Sequence, residues 1–313
     1  MDRKKITIVG AGNIGATLAL LLARRETADI TLIDINEGVA KGKALDIMEA
    51  SPILGFNARV TGTGDYADTA NSDVVVITAG FPRKPGMSRD DLLFKNFEVV
   101  KEVSEQIKRY SPDAFVIVVT NPLDAMTYTA LKVTGFPKEK VIGMAGVLDS
   151  ARFAYFISEK TGISVENIKA FVIGGHGDDM VPLKKYTTIS GIPVTKFLSE
   201  EELNKLIERT RFGGGEIVQL LKTGSAFYAP AASILEMVIA ILWNKRKILS
   251  ASVYLDGEVG EYYKASGLCV GVPIVLGKNG VEKVIKLELD DEEWKQWEKS
   301  VASVKKLVEK LPV

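Results

Sequence analysis

The most constraining feature of this chain is a short run near its start. Residues 5–9, Lys-Ile-Thr-Ile-Val, read as a buried strand. Gly10-Ala11-Gly12-Asn13-Ile14-Gly15 follows at once, then a helical pattern over 16–25. The next apolar strand, 30–33, ends in Asp34, 19 residues past Gly15. A glycine-rich turn alone means little. Strand, turn, helix, strand and acidic residue in this order specify a βαβ unit that binds a dinucleotide. Gly10 permits the tight turn, Gly12 admits the pyrophosphate to the backbone, and Gly15 lets helix pack closely on strand. Free N–H groups at the helix start then face the phosphates. Asp34 suits the ribose hydroxyls and repels a 2′-phosphate. No basic residue stands in Ile35-Asn36-Glu37, so NAD is expected over NADP.

The alternation continues with a helix over 38–50 and strands over 58–61, 73–78, 114–120 and 141–144. Val/Ile-rich strands between helices imply a parallel doubly wound α/β sheet, giving a first domain over residues 1–144. Within it, Gly38-Val39-Ala40-Lys41-Gly42-Lys43-Ala44 superficially resembles a phosphate-binding loop, but the spacing is wrong and no Ser or Thr follows the lysine. Residues 145–313 read as a mixed α+β substrate domain with antiparallel strands. A helix over 147–161 and a single strand over 168–173 open it, with a hairpin over 186–194 and a helix over 200–211 next. Gly213-Gly214-Gly215 reads as a joint between helices. A long helix over 227–244, strands over 250–255, 270–276 and 284–289, and a helix opening at Asp290 complete the chain.

Composition narrows the partners. Forty basic and forty acidic residues leave no net charge, so neither nucleic acid nor an anionic membrane is expected. The single cysteine, Cys269, excludes an internal disulfide and a Cys-based metal site, and no metal is expected. The longest apolar run, 227–243, contains Pro230 and Glu236 and is shorter than a bilayer span, so it reads as a buried helix. With no hydrophobic leader ahead of the first strand, a cytoplasmic setting is expected.

The only histidine, His176, sits in Gly174-Gly175-His176-Gly177-Asp178-Asp179 at the end of an apolar run. Flanking glycines expose the imidazole to a close-approaching substrate, and its charge changes near neutral pH, which marks it as a general acid/base. Residues 79–91 leave a strand end as a loop with two prolines and two glycines, carrying Arg83, Lys84 and Arg89. Ser88 and Asp91 form a capping pattern that places Arg89 at the loop–helix junction, as in a lid closing over an anion. Asn121 ends another strand with a donor and an acceptor, and its bond to Pro122 is a candidate cis peptide. Asp149 and Arg152, three apart, share one face of a helix start.

These motifs together resemble the lactate/malate dehydrogenase family nearly end to end. The resemblance rests on G-A-G-N-I-G with Asp34, P-R-K-P-G-M-S-R, T-N-P-L-D, L-D-S-A-R-F and G-G-H-G-D. It is strongest with the malate-type members built on the lactate pattern, because P-R-K-P-G-M-S-R carries Arg83. The resemblance implies reversible NAD-dependent oxidation of malate to oxaloacetate, in the setting of the tricarboxylic acid cycle. It implies that His176 moves the hydroxyl proton, that Asp149 holds its other ring nitrogen, and that Arg152 grips the C1 carboxylate. Arg89 would polarise the carbonyl and Arg83 receive the distal carboxylate of a dicarboxylic substrate. Asn121 would contact substrate, with Asn96 and the Val119 backbone along the cofactor. A homo-oligomer, dimer or tetramer, is also expected. Ala226 departs from the lactate enzymes, which have Thr there. A lactate dehydrogenase is the nearest alternative function. A non-catalytic NAD-binding sensor would have no use for His176, Asp149 and Arg152 together.

Overall fold

Six strands alternate with helices through the first half of the computed structural model, which describes residues 3–82 and 88–313 but not the Arg89 side chain. The strands are β1 (Lys5–Val9), β2 (Asp29–Ile33), β3 (Val60–Thr63), β4 (Val74–Ile77), β5 (Phe115–Val118) and β6 (Val141–Gly143). Between them run α1 (Asn13–Arg24), α2 (Glu37–Glu49), α3 (Ser51–Leu54), α4 (Arg89–Tyr110) and α5 (Leu123–Thr134). These strands pair in parallel in the spatial order β3-β2-β1-β4-β5-β6. This is the doubly wound dinucleotide-binding topology, whose ligand crevice opens at the carboxyl ends of β1 and β4.

The apolar runs demand this arrangement. Ile6, Ile8, Val74 and Val76 pack into one core cluster, while Val9, Val75 and Ile77 pack into another on the opposite face. Successive side chains point to opposite faces of a strand, so a strand apolar at every position needs both faces covered by helices.

The second half opens with α6 (Gly146–Thr161). Short strands β7 (Ile168–Lys169), β8 (Val172–Ile173), β9 (Val181–Pro182), β10 (Thr188–Ile189) and β11 (Ile192–Pro193) follow it. Next come α7 (Glu200–Leu221), α8 (Tyr228–Leu242), β12 (Lys247–Leu255), α9 (Gly257–Tyr262), β13 (Leu268–Gly277), β14 (Gly280–Val284) and α10 (Asp291–Val308). The antiparallel strands β12, β13 and β14 do not form a sheet of their own. They extend the parallel sheet beyond β6, with Ser252 opposite Gly143, to make nine strands. The apolar run beginning at Phe227 forms α8, whose Ala231, Ile234, Met237, Val238 and Ile241 are buried and which packs on α1. No helix among the described residues is long and apolar enough to cross a membrane.

Three elements differ from their sequence reading. The strand expected over 168–173 is two strands in two sheets: β7 pairs with β10, and β8 pairs with β9. At the crossover, Val172 trades part of its ladder for side chains. Its N–H donates to Ser150 Oγ at 3.0 Å, and its carbonyl accepts from Ser250 Oγ at 2.6 Å. The strand expected over 284–289 ends at Val284. Beyond it, tyrosine hydroxyls replace a neighbouring strand: Tyr263 donates to the Ile285 carbonyl, and Tyr186 donates to that of Glu288. The third difference, at Gly213–Gly215, belongs to the site.

Candidate active site

The turn after β1 is built by contacts that only glycine allows. Gly10 has φ +105°, and a Cβ there would lie 2.7 Å from Thr78 Oγ1 and 2.8 Å from the Ala79 nitrogen. At Gly15 a Cβ would meet the Gly10 carbonyl at 2.0 Å, so α1 can sit on β1 only without a side chain. Gly12 differs: its Cβ would meet nothing within 4 Å. It is the N-cap of α1 and offers no side-chain cap, so Asn13, Ile14 and Gly15 begin a helix with uncapped amides beside open space. That is a cradle for an anion, and it fits the pyrophosphate of NAD. Asp34 stands beside it, accepting hydrogen bonds from the Ala11 N–H at 2.8 Å and the Asn36 N–H at 2.9 Å.

At the opposite wall, the loop bearing His176 is fixed from four elements. Gly174 and Gly271 of β13 exchange backbone hydrogen bonds at 2.8 and 3.1 Å. The Gly175 N–H donates to Ser300 Oγ of α10 at 2.8 Å, and the His176 N–H donates to Asp124 Oδ2 of α5 at 2.8 Å. The imidazole Nδ1 meets Asp149 Oδ2 of α6 at 2.8 Å. Gly174 at φ +89° and Gly175 would each place a Cβ 2.6 Å from α10 side chains, so both glycines are needed for the loop to lie this close. Burial pulls the imidazole pKa down. The Asp149 charge and hydrogen bond, with Asp124 behind, outweigh it and hold the ring above the usual histidine value. A carboxylate on Nδ1 keeps the proton there and leaves Nε2 to exchange one.

Arg152 completes the cluster. Its Nη1 donates to Asp149 Oδ1 at 3.3 Å, while its buried Nε has no partner. Arg152 also lines the cavity that His176 lines, where a guanidinium suits an anion. The three glycines from Gly213 run past it. They are not a joint between helices but lie inside α7, which runs unbroken to Leu221. A Cβ at Gly213 would come within 3.3 Å of Arg152 Cδ, and one at Gly214 within 3.6 Å of Nη2. Gly costs a helix interior about 1 kcal/mol per residue, and only Gly213 is tight against Arg152, since a Cβ at Gly215 would meet nothing within 4 Å.

A cavity of about 280 Å³ joins the two walls, with Ile14 and Val119 on the dinucleotide side and Arg152, His176 and Ala226 across from them. Residues 4–143 match the family described as lactate/malate dehydrogenase, NAD binding domain, and residues 146–312 match its alpha/beta C-terminal domain. The chain belongs to the lactate/malate dehydrogenase family. It is 56% identical to the malate dehydrogenase of Geobacillus kaustophilus over 313 residues, covering 99% of each chain. The malate dehydrogenase of Picrophilus torridus, solved in its apo form, superposes with a TM-score of 0.95 at 49% identity, covering 98% of this chain and 97% of that one. The Cryptosporidium parvum lactate dehydrogenase, solved with lactic acid and the dinucleotide, superposes at 0.94 with 40% identity, covering 99% and 98%.

Of the other expected site residues, Asn121 lines this cavity at the end of β5, and its bond to Pro122 is cis. Asn96 is buried and fully engaged: it donates to the Asn121 and Phe81 carbonyls and accepts from the Phe81 N–H. It braces the loop ends rather than offering a free amide. Ser88 and Asp91 form the expected capping box, so Arg89 opens α4, although its side chain is outside the described residues. Arg83 and Lys84 also lie outside them. Sequence reading missed Lys43, whose Nζ donates to the Ala11 carbonyl at 2.7 Å and ties α2 to the glycine turn. It also missed Asp124, Arg211 and Met180. Asp124 had a signal, since a carboxylate in T-N-P-L-D opens a helix beside the site.

Proposed function

We propose that the chain catalyses the reversible NAD-dependent oxidation of (S)-malate to oxaloacetate. The observation that carries this reading is the arrangement of His176, Asp149 and Arg152, with His176 and Arg152 lining one cavity together with Ile14 of the dinucleotide-binding turn. The malate names of relatives at 56% identity and Ala226 in the cavity wall favour malate over lactate. NAD, when bound, supplies the nicotinamide ring that exchanges hydride with the substrate C2. The uncapped amides of α1 would hold its pyrophosphate, and the remaining lone pairs of Asp34 would accept from the ribose hydroxyls. Arg152 pairs with the C1 carboxylate through its fork, which a lysine cannot copy. His176 Nε2 accepts the hydroxyl proton during oxidation and returns it during reduction. Asp149 stabilises the imidazolium formed in between.

A steady-state assay with NADH tests this directly. Oxaloacetate should be reduced with a far higher kcat/KM than pyruvate, and the reverse order would make the protein a lactate enzyme. The pH profiles should mirror each other. Malate oxidation needs the neutral ring, so its kcat/KM rises as pH passes the raised pKa of His176; oxaloacetate reduction needs the imidazolium and falls over the same range. Asp149→Asn removes the main charge favouring the imidazolium and should move both midpoints down. Profiles with midpoints unchanged in that variant would contradict the pairing.

Cofactor choice is a separate test. NADH should be strongly preferred over NADPH, and Asp34→Ser combined with Ile35→Arg should narrow the gap. Equal kcat/KM for the two cofactors in the unaltered protein would remove Asp34 from its role.

A further inference from the structure

Behind His176 lies a second buried carboxylate that the mechanism above does not use. Asp124 occupies the first turn of α5, three residues after Asn121, and is 5% exposed. Its Oδ2 accepts the His176 backbone N–H at 2.8 Å, and its Oδ1 accepts the Ser252 hydroxyl of β12 at 2.7 Å. Both contacts suit an ionised carboxylate, and the α5 amino terminus favours negative charge. A structural anchor alone could be neutral: an amide or hydroxyl would accept the same N–H without the cost of burying charge.

We propose that Asp124 is a positioning residue for proton transfer, tying the His176 loop to the Asn121–Leu123 turn and supplying a second negative charge that favours the imidazolium. The inference rests on the reading of His176 as the acid/base. Around the ring, Asp149 and Arg152 project from α6, Asp124 from α5 and Arg211 from α7, with Asp178 on the loop itself. Asp149 and Asp124 favour the charged ring, and Arg152 opposes it. Burial, with the Asp149 charge adding to it, raises the Asp124 carboxyl above its usual value on balance, while the Ser252 and His176 hydrogen bonds and the imidazolium charge hold it back. Removing the Ser252 hydroxyl should therefore weaken the same effect without touching the loop. Asp124 thus joins two jobs in one group. It holds the position of the acid/base relative to the turn bearing Asn121, and it biases the protonation state from the side away from substrate.

The test is Asp124→Asn in the full-length protein. The amide oxygen can still accept the His176 N–H, and its NH₂ can donate to Ser252 Oγ, so the variant removes charge while keeping shape. The midpoint of kcat/KM against pH for malate oxidation should move down. Oxaloacetate turnover at neutral pH should fall about ten-fold, well short of the roughly 10²–10⁴-fold contribution of the base itself. NADH affinity, followed by fluorescence titration, should stay put. Ser252→Ala should move the midpoint in the same direction by less, and it carries the test alone if the Asn variant does not fold. An unmoved midpoint, or a loss equal at every pH, overturns the inference by leaving Asp124 a purely structural anchor. Failure of the underlying reading looks different: His176→Asn would itself remain active.

Discussion

Replacing His176 with Asn is expected to lower turnover in both directions by about 10²–10⁴-fold, the usual worth of a positioned general acid/base. Asn occupies the near part of the imidazole volume, and its amide can still donate to Asp149, so the buried carboxylate keeps a partner. What disappears is the Nε2 site facing the cavity. The chain has no second histidine to take its place. The variant should also lose the sloping pH profiles, since the group whose protonation they report is gone. NADH binding should persist, because the glycine turn and Asp34 belong to β1, α1 and β2, across the cavity. Stopped-flow turnover beside fluorescence titration of NADH separates the two effects. Near-wild-type turnover in His176→Asn would end the acid/base reading, whatever the family resemblance.

Much of the fold was legible because its signals are local. The glycine turn, the paired-face apolar strands and the capping boxes at Ser88, Ser199 and Asp290 each follow from a few adjacent residues. His176 was legible for the same reason, as an isolated titratable group between glycines. The differences occur where distant residues decide. Nothing within residues 168–173 announces a change of sheet; Ser150 and Ser250, far away in the chain, provide the alternative hydrogen bonds. Gly213–Gly215 looks like a break because glycine is a poor helix former, yet α7 runs through it, with Gly213 close against the Arg152 side chain. Residues 285–288 have strand-like composition, but tyrosines from elsewhere in the chain satisfy them. Asp124 shows the same limit within the site. Its place in T-N-P-L-D was visible, while its contact with a backbone amide 52 residues later was not.

Arg152→Gln and Arg83→Gln should fail in different ways, and the contrast identifies the substrate. Every 2-oxo acid presents a C1 carboxylate, so loss of Arg152 should damage oxaloacetate and pyruvate reduction alike. Removing one partner of a buried charge pair costs about 2–5 kcal/mol, or roughly 30-fold to a few thousand-fold in kcat/KM. Arg152→Lys should recover little, because a point charge cannot reproduce the planar guanidinium fork. The change has an electrostatic signature too. Arg152 opposes the imidazolium, so its loss should raise the His176 midpoint, the reverse of Asp149→Asn. On the proposal that Arg83 receives the distal carboxylate, it should answer only to a dicarboxylic substrate. A cation set against the distal carboxylate would find no partner in pyruvate, so on that proposal one residue would attract one acid and reject the other. Arg83→Gln should therefore cut oxaloacetate reduction by a factor in the same range, leave the His176 midpoint in place and raise pyruvate reduction. Equal losses for both substrates in Arg83→Gln would show that discrimination lies elsewhere in the cavity, with Ala226, Met180 and Arg211 the next positions to exchange.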